Sequence, residues 1–218
     1  MEFDHIFICV SPGAPEGDAL KDFGLTEGAS NKHSGQGTAN RRFFFRNSFI
    51  ELLYLEDRDE IQNELTEPTR LYQRLSSKEA DVSPFGICFR PSDENRNAPF
   101  KSWSYKPAYL PEGLKVDIGE APVEEPMWFF LAFASRPDQA AQERRQPMEH
   151  PVGFREITAL RIVVPSEKIY SEPAYRASEV KGLEILEGSE HLVEIGFDNE
   201  VCGQTRDFRP GLPLVFRW

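Results

Sequence analysis

Two polar residues stand where the surrounding sequence is otherwise strand-like and apolar. His5 lies within Phe3 to Val10, an alternating run rich in β-branched and aromatic residues that predicts a strand closed by Ser11-Pro12-Gly13. Alternation puts Phe3, His5, Phe7 and Cys9 on one face and Ile6, Ile8 and Val10 on the other. Glu51 lies within Phe49 to Leu55, where Phe49, Glu51 and Leu53 share a face. A carboxylate in apolar surroundings must find a partner, change its pKa or bind a cation. The segment Gly35-Gln36-Gly37-Thr38-Ala39-Asn40 reads as a ligand-binding lip. Its glycines permit close backbone approach, and Gln36, Thr38 and Asn40 supply neutral hydrogen bonds. The competing reading is a turn whose Asn and Thr satisfy nearby backbone groups. A phosphate loop is excluded, because no Lys-Ser/Thr follows and the chain enters a strand rather than a helix. There is no GxSxG elbow, HExxH helix, Rossmann GxGxxG or Cys-rich metal knot, so neither a covalent hydrolase nor a nicotinamide cofactor has support.

The elements that must hold these residues belong to a chain of 218 residues with 17 Phe and 39% hydrophobic residues, enough for one large or two small cores without staples. The net charge of −11 argues against nucleic acid and against an anionic membrane surface, since both need clustered Lys and Arg. The pairs Arg41-Arg42 and Arg144-Arg145 are too short to change this. Three cysteines without CxxC spacing fit reduced thiols, with Cys9 and Cys88 buried in apolar runs. The N-terminus lacks a signal-peptide pattern, and the longest apolar run, Met127 to Ala134, is too short to span a bilayer. The expected location is cytoplasmic.

After the first strand, Ala14 to Phe23 predicts a short helix ended by Gly24. A weak strand is expected around Leu25 to Ala29, then a hairpin of Arg41 to Arg46 and Phe49 to Leu55 turning at Asn47-Ser48. Residues Asp57 to Ala80 predict an interrupted helix whose second piece starts at Pro68. A second beginning follows: a strand at Pro84 to Arg90, a short helix at Glu94 to Trp103, an extended stretch near Leu114 to Ile118 and an aromatic strand at Met127 to Phe133. A third beginning has a strand at Ile157 to Val164, a helix capped by Ser171 and running to about Val180, and strands at Leu183 to Leu186, His191 to Phe197 and Pro213 to Trp218. The expected organisation is a first module at 1–55, a helical linker at 56–83, a second module at 84–134, a connection at 135–156 and a third module at 157–218. Any α+β protein with helices over one face of an antiparallel sheet would share this pattern.

Two stretches narrow the choice: Phe3-Asp4-His5-Ile6, and the run from His33-Ser34-Gly35-Gln36-Gly37-Thr38-Ala39-Asn40-Arg41-Arg42 to Ile50-Glu51-Leu52-Leu53. With Glu149-His150-Pro151-Val152-Gly153, they resemble a glyoxalase-like domain of the vicinal oxygen chelate superfamily. The resemblance implies an α+β fold of repeated βαβββ modules curled into a half-open barrel around a ligand cavity, here with an additional C-terminal module. It leaves the reaction open, because that scaffold hosts isomerases, dioxygenases, transferases and metal-free binding proteins.

The resemblance also implies that the His5 face is the cavity face and that His5 and Glu51 match the first module's two metal ligands. The second module's matching positions hold Gly86 and the apolar run Trp128-Phe129-Phe130-Leu131, and Ala159 stands at the third module's position, so half of that metal site is missing. His33 could complete a site of His5, His33 and Glu51 for a divalent ion. The competing arrangement is His5 hydrogen-bonded to Glu51 without metal, a carboxylate orienting an imidazole as general base. Arg41 and Arg42 alternate, so one faces the cavity, where it could pair with Glu51 or a substrate carboxylate. Arg42 joins His33, Gln36, Thr38, Asn40, Phe7, Trp128 and Phe130 as ligand-binding candidates, the aromatics suiting an apolar ligand. The expected function is an enzyme of lyase, isomerase or oxygenase type acting on a small organic metabolite through His5 and Glu51. The alternative is a binding or sequestering protein without metal, and the resemblance adds a possible homodimer.

Overall fold

The computed structural model describes residues 1–77, 79–165 and 171–218. The first unit runs β1 (Glu2–Cys9), α1 (Gly17–Phe23), β2 (Lys32–His33), β3 (Thr38–Phe44) and β4 (Phe49–Leu55). α1 ends where Gly24 turns left-handed at φ 109° and its N–H caps the Leu20 and Lys21 carbonyls, a conformation that favours glycine. α2 (Arg58–Ile61) and α3 (Leu71–Ser76) follow, then β5 (Phe85–Arg90), β6 (Ser102–Tyr105), β7 (Val116–Gly119) and β8 (Met127–Phe130). The remainder forms β9 (Ile157–Val164), α4 (Glu172–Ser178), β10 (Leu183–Glu187), β11 (Leu192–Phe197), β12 (Thr205–Asp207) and β13 (Leu214–Arg217).

Eight strands form one sheet in the order β2-β3-β4-β1-β5-β8-β7-β6. Each half has its first strand parallel to its last, and the halves join where β1 runs antiparallel to β5. The sheet curls into a half-open barrel. Its two ends approach one another, with the ring of His33 of β2 4.7 Å from that of Tyr109 beyond β6, and the segment between α2 and α3 reaches the β6 end, where the hydroxyls of Thr66 and Tyr105 are 3.2 Å apart. A second sheet, β10-β9-β11-β13-β12, is the additional C-terminal module. Among the described residues no helix is long and apolar enough to cross a membrane.

Strand alternation divides the large sheet between two apolar clusters. Ile6, Ile8, Phe43, Ile50, Leu52, Ile87, Phe89, Trp128 and Phe130 pack on the outer side with Ile157, Ile162, Ala174, Val193 and Phe216 of the C-terminal module. Phe7, Leu53, Cys88, Val116, Met127 and Phe129 line the concave side. The C-terminal module also helps cover the second half of the large sheet. Pro173 of α4 lies against Gly119, where an added Cβ would come within 2.8 Å of its ring. Buried Glu125 accepts from Trp128 Nε1 (2.9 Å), the Ser171 N–H (2.8 Å) and Ser171 Oγ (2.6 Å), and Ser171 Oγ in turn accepts from the Ala174 N–H to cap α4.

Several sequence expectations need correction. Leu25 to Ala29 is not a strand; the added strand is the two-residue β2. Glu94 to Trp103 is not a helix, because Asp93 and Asn95 side chains accept the backbone N–H groups of Asn95 and Asn97 and hold local turns instead. Between α2 and α3, Pro68 sits in a 3-10 turn, and Arg70 at φ 57° precedes α3, which starts at Leu71. β12 went unread because all three of its residues are exposed and carry no alternation. Phe3 leaves the His5 face, since the register between β1 and β5 slips between Phe3 and His5 and makes Asp4 a bulge residue.

The segment expected to lead into the last unit docks on the first. His150 Nδ1 accepts the Thr26 N–H at 2.9 Å and its Nε2 donates to the Phe44 carbonyl at 2.9 Å, a pairing open only to one neutral tautomer. Burial lowers the pKa of His150, and likewise those of His33 and His191. A lowered folded-state pKa means the unfolded chain binds more protons, so stability is full above the unfolded value of about 6.5 and falls as pH drops below it. The urea midpoint should fall between pH 7.5 and 5.5, and His150→Gln should reduce that dependence. A midpoint equally pH-dependent in the variant would refute the role of His150. Replacing Glu125 by alanine leaves the Trp128 and Ser171 donors buried without an acceptor and should cost about 2–4 kcal/mol in urea unfolding.

Candidate functional site

The concave face is a grid set by register. One row runs Arg42, Glu51, Phe7, Gly86, Met127 across β3, β4, β1, β5 and β8; the next runs Phe44, Phe49, His5, Cys88, Phe129. These rows floor a cavity of about 260 Å³, closed on its other sides by residues such as His33, Leu71, Tyr109 and Leu110. Most of its wall is apolar, and the polar groups gather on the β3-β4-β1 side.

His5 is buried and held on three sides. Its ring stacks on Phe49 (centroids 4.1 Å apart) and meets Phe129 edge-on at 5.4 Å. Nδ1 lies 2.7 Å from Asp4 Oδ2, while the other oxygen of Asp4 accepts from Arg90 Nη1 at 3.1 Å. Asp4 therefore acts as acceptor and Nδ1 carries the proton, which leaves Nε2 as the nitrogen 3.6 Å from Glu51 Oε2. Glu51 Oε1 accepts from Asn40 Nδ2 at 2.6 Å, and Asn40 Oδ1 accepts the Asn31 N–H at 2.7 Å. The carboxylate that orients the imidazole is thus Asp4, and the expected His5–Glu51 hydrogen bond is replaced by a longer approach from the opposite ring nitrogen.

Of the two arginines, Arg42 faces the cavity, while Arg41 faces outward and pairs with Glu27 and Asp18. Arg42 stands directly across from Glu51 yet makes no ion pair with it; its Nε donates to the Ala29 carbonyl at 2.8 Å and its guanidinium lies over Phe44, 5.0 Å from the centroid. His33, Gln36, Asn40 and Phe7 also line the cavity. Thr38 does not; it is buried beneath the lip, where its Oγ1 accepts from Gln36 Nε2 at 2.8 Å and lies 2.9 Å from His33 Nδ1. Glu60 accepts the N–H groups of Gly35 and Gly37, so the lip is pinned from α2. The segment is an internally bonded turn in which Asn40 satisfies the Asn31 N–H, and its Gln36 and Asn40 side chains line the cavity.

Trp128 and Phe130 are corrected. They lie on the outer side of β8 in the core shared with the C-terminal module, and Phe129 and Met127 take the cavity positions. The alternation rule carried this result once the register of β8 was known. Asp4, Arg90 and Tyr109 also went unnoticed. Asp4 alternates to the wrong face unless the bulge is known, and Tyr109 comes from the far end of the curled sheet.

The family resemblance implies a metal site, and the set of ligands expected for it is not assembled. His5, His33 and Glu51 do not converge as a donor cluster; among the described residues the group whose donor atoms lie within 4.8 Å of one another is Asp4, His5 and Cys88. That spacing could hold an ion, with Asp4 also paired to the Arg90 cation and the Cys88 thiol buried. In the second half of the sheet, a Cβ at Gly86 would stand 2.0 Å from the Phe7 ring, so Phe7 fills the space a ligating side chain would need.

A family model described as a glyoxalase-like domain matches residues 3–173. No curated protein matches the sequence. Among 44 matching chains of solved structures is a hypothetical protein from Staphylococcus aureus, 12% identical, with a TM-score of 0.55 over 99% of this chain and 98% of that one. That likeness spans the C-terminal module and concerns the fold alone. With the family match over most of its length and a curled eight-stranded sheet around one cavity, the chain belongs to the glyoxalase-like domain family of the vicinal oxygen chelate superfamily.

Proposed function

We propose that the protein is an enzyme that transfers a proton on a small organic metabolite bound in the concave cavity, an isomerase or lyase working without a metal, with His5 as general base. The observation that supports this reading is the orientation of His5: Asp4, itself bonded to Arg90, accepts from Nδ1, and Nε2 faces Glu51 beside the cavity. An imidazole so held directs Nε2 toward a substrate C–H or O–H, and two flanking carboxylates stabilise the imidazolium formed when the proton moves. Glu51, fixed by Asn40, is placed to take part in relaying that proton. His33 and Gln36 provide neutral polar contacts at the lip; burial lowers the pKa of His33 and so favours its uncharged form near neutrality. The free thiols at Cys9, Cys88 and Cys202 support a cytoplasmic location.

Proton abstraction can be read without knowing the full reaction. A panel of small carbonyl compounds and carboxylic acids incubated with the protein in D₂O should show C–H exchange by NMR for at least one member. His5→Ala should slow that exchange by about 10²–10⁴-fold with folding retained, and Glu51→Ala should also slow it. Binding without exchange would replace the enzyme reading with that of a sequestering protein. Exhaustive chelator treatment should leave exchange rate and melting temperature unchanged; loss of either on treatment, restored by a divalent ion, would overturn the metal-free mechanism.

A further inference from the structure

The wall of the cavity holds one cation whose charge is not answered by a carboxylate. Arg42 lies directly across the β3-β4 ladder from Glu51, the obvious partner, but Glu51 is hydrogen-bonded to Asn40 and faced by His5. The Arg42 guanidinium is instead held by its Nε bond to the Ala29 carbonyl and by the Phe44 face beneath it. Among the described residues, its Nη1 and Nη2 groups have no hydrogen-bond or ion-pair partner. Burial works against the charged form of this side chain, with the nearby Glu51 charge opposing that effect. A half-buried guanidinium with its Nε tied back and its fork free is preorganised for a planar oxyanion, which it can bind through two parallel N–H···O bonds.

The rest of the wall limits what carries that oxyanion. Phe7, Phe49, Leu53, Phe129 and Met127 make an apolar surface, and a cavity of about 260 Å³ is smaller than the roughly 300–1,000 Å³ usual for drug-sized ligands. We infer that the ligand is a small aromatic or branched aliphatic carboxylic acid whose carboxylate is bound by Arg42, with its apolar body against the phenylalanine wall. Charge sets the orientation. Glu51 repels a carboxylate on the β4-β1 side, so the acid group stays at β3 and the neutral end points toward His5 Nε2. Arg42 and His5 stand on strands two ladders apart, roughly 10 Å between backbones, which a ligand of this size spans once both side chains reach inward. Arg42 is then a specificity-determining residue for the site assigned above, and the inference rests on that reading of the cavity.

Isothermal titration of the full chain with matched pairs tests it: benzoate and benzamide, phenylacetate and phenylacetamide, 3-phenylpropionate and its amide. At least one acid should bind about tenfold or more tightly than its amide. Arg42→Gln should bring acid and amide to equal affinity, while Arg41→Gln, on the outer face, should leave the preference intact. Raising NaCl should weaken the acid and not the amide, a readout independent of whether the Arg42 variant folds. Acid and amide binding equally to the wild type, or a preference that survives Arg42→Gln, would overturn the carboxylate anchor and leave the cavity reading standing. No binding of any acid or amide would overturn both.

Discussion

The buried ion pair between Arg90 and Asp4 organises this molecule at the joint between its two half-sheets. β1 and β5 meet antiparallel, and at their N- and C-terminal ends respectively the register slips by a residue, turning Asp4 out of strict alternation. Arg90 meets it there and also bonds Glu2 and the Asn47 carbonyl, tying β1, β5 and the β3-β4 turn together. A buried charge left without its partner is far costlier than the pair is stabilising, so the bulge and the arginine require each other. The second oxygen of Asp4 is then directed at His5 Nδ1. The same contact that secures the sheet joint therefore fixes the tautomer and the direction of the imidazole.

The alternation of the sheet separates two tasks. On the outer face, apolar residues of β1, β4, β5 and β8 form a continuous core with the C-terminal module, which contributes α4 and Phe197 and Phe216, packed with Phe154 of the preceding connection. Glu125 joins that module to Trp128 through three hydrogen bonds, so the additional sheet is structurally continuous with the half-barrel. On the concave face the packing is incomplete, which leaves the cavity, and polar residues occur mainly on the side built by β3, β4 and β1. Phe7 of β1 and Gly86 of β5, paired across the joint, mark where the apolar side begins. The glycine gives room for the Phe7 ring, which lies 2.0 Å from where a Cβ on Gly86 would stand.

The lip illustrates how a turn can be both satisfied and available. Its glycine N–H groups are taken by Glu60 and its Thr38 hydroxyl by Gln36 and His33, so its polar groups are satisfied within the protein. Gln36, Asn40 and Arg42 nevertheless border the cavity, Gln36 and Asn40 while bonded to Thr38, Asn31 and Glu51. Positioning of this kind favours a ligand recognised by a few fixed polar contacts within an otherwise apolar enclosure.

Local physics was legible in the residues alone. Alternation in His5 to Cys9 and Ile157 to Val164, a hairpin after β3 that turns through Phe45 to Ser48, the cap at Ser171 and the stop at Gly24 each follow from interactions within a few residues. The quoted motifs led to the family and to His5, Glu51, His33, Gln36, Asn40, Arg42 and Phe7 as residues of one cavity. Pairing across the chain decided the rest. A one-residue slip in register exchanges the two faces of a strand, so only the ladders of β8 with β5 and β7 could exchange Trp128 and Phe130 for Phe129. The bulge that gives His5 its carboxylate depends on a strand eighty residues away in sequence, and the freedom of Arg42 from Glu51 depends on the competing hold of Asn40. Contacts between residues distant in the chain carry no local signature, and these are the contacts that determine what His5 and Arg42 present to a ligand.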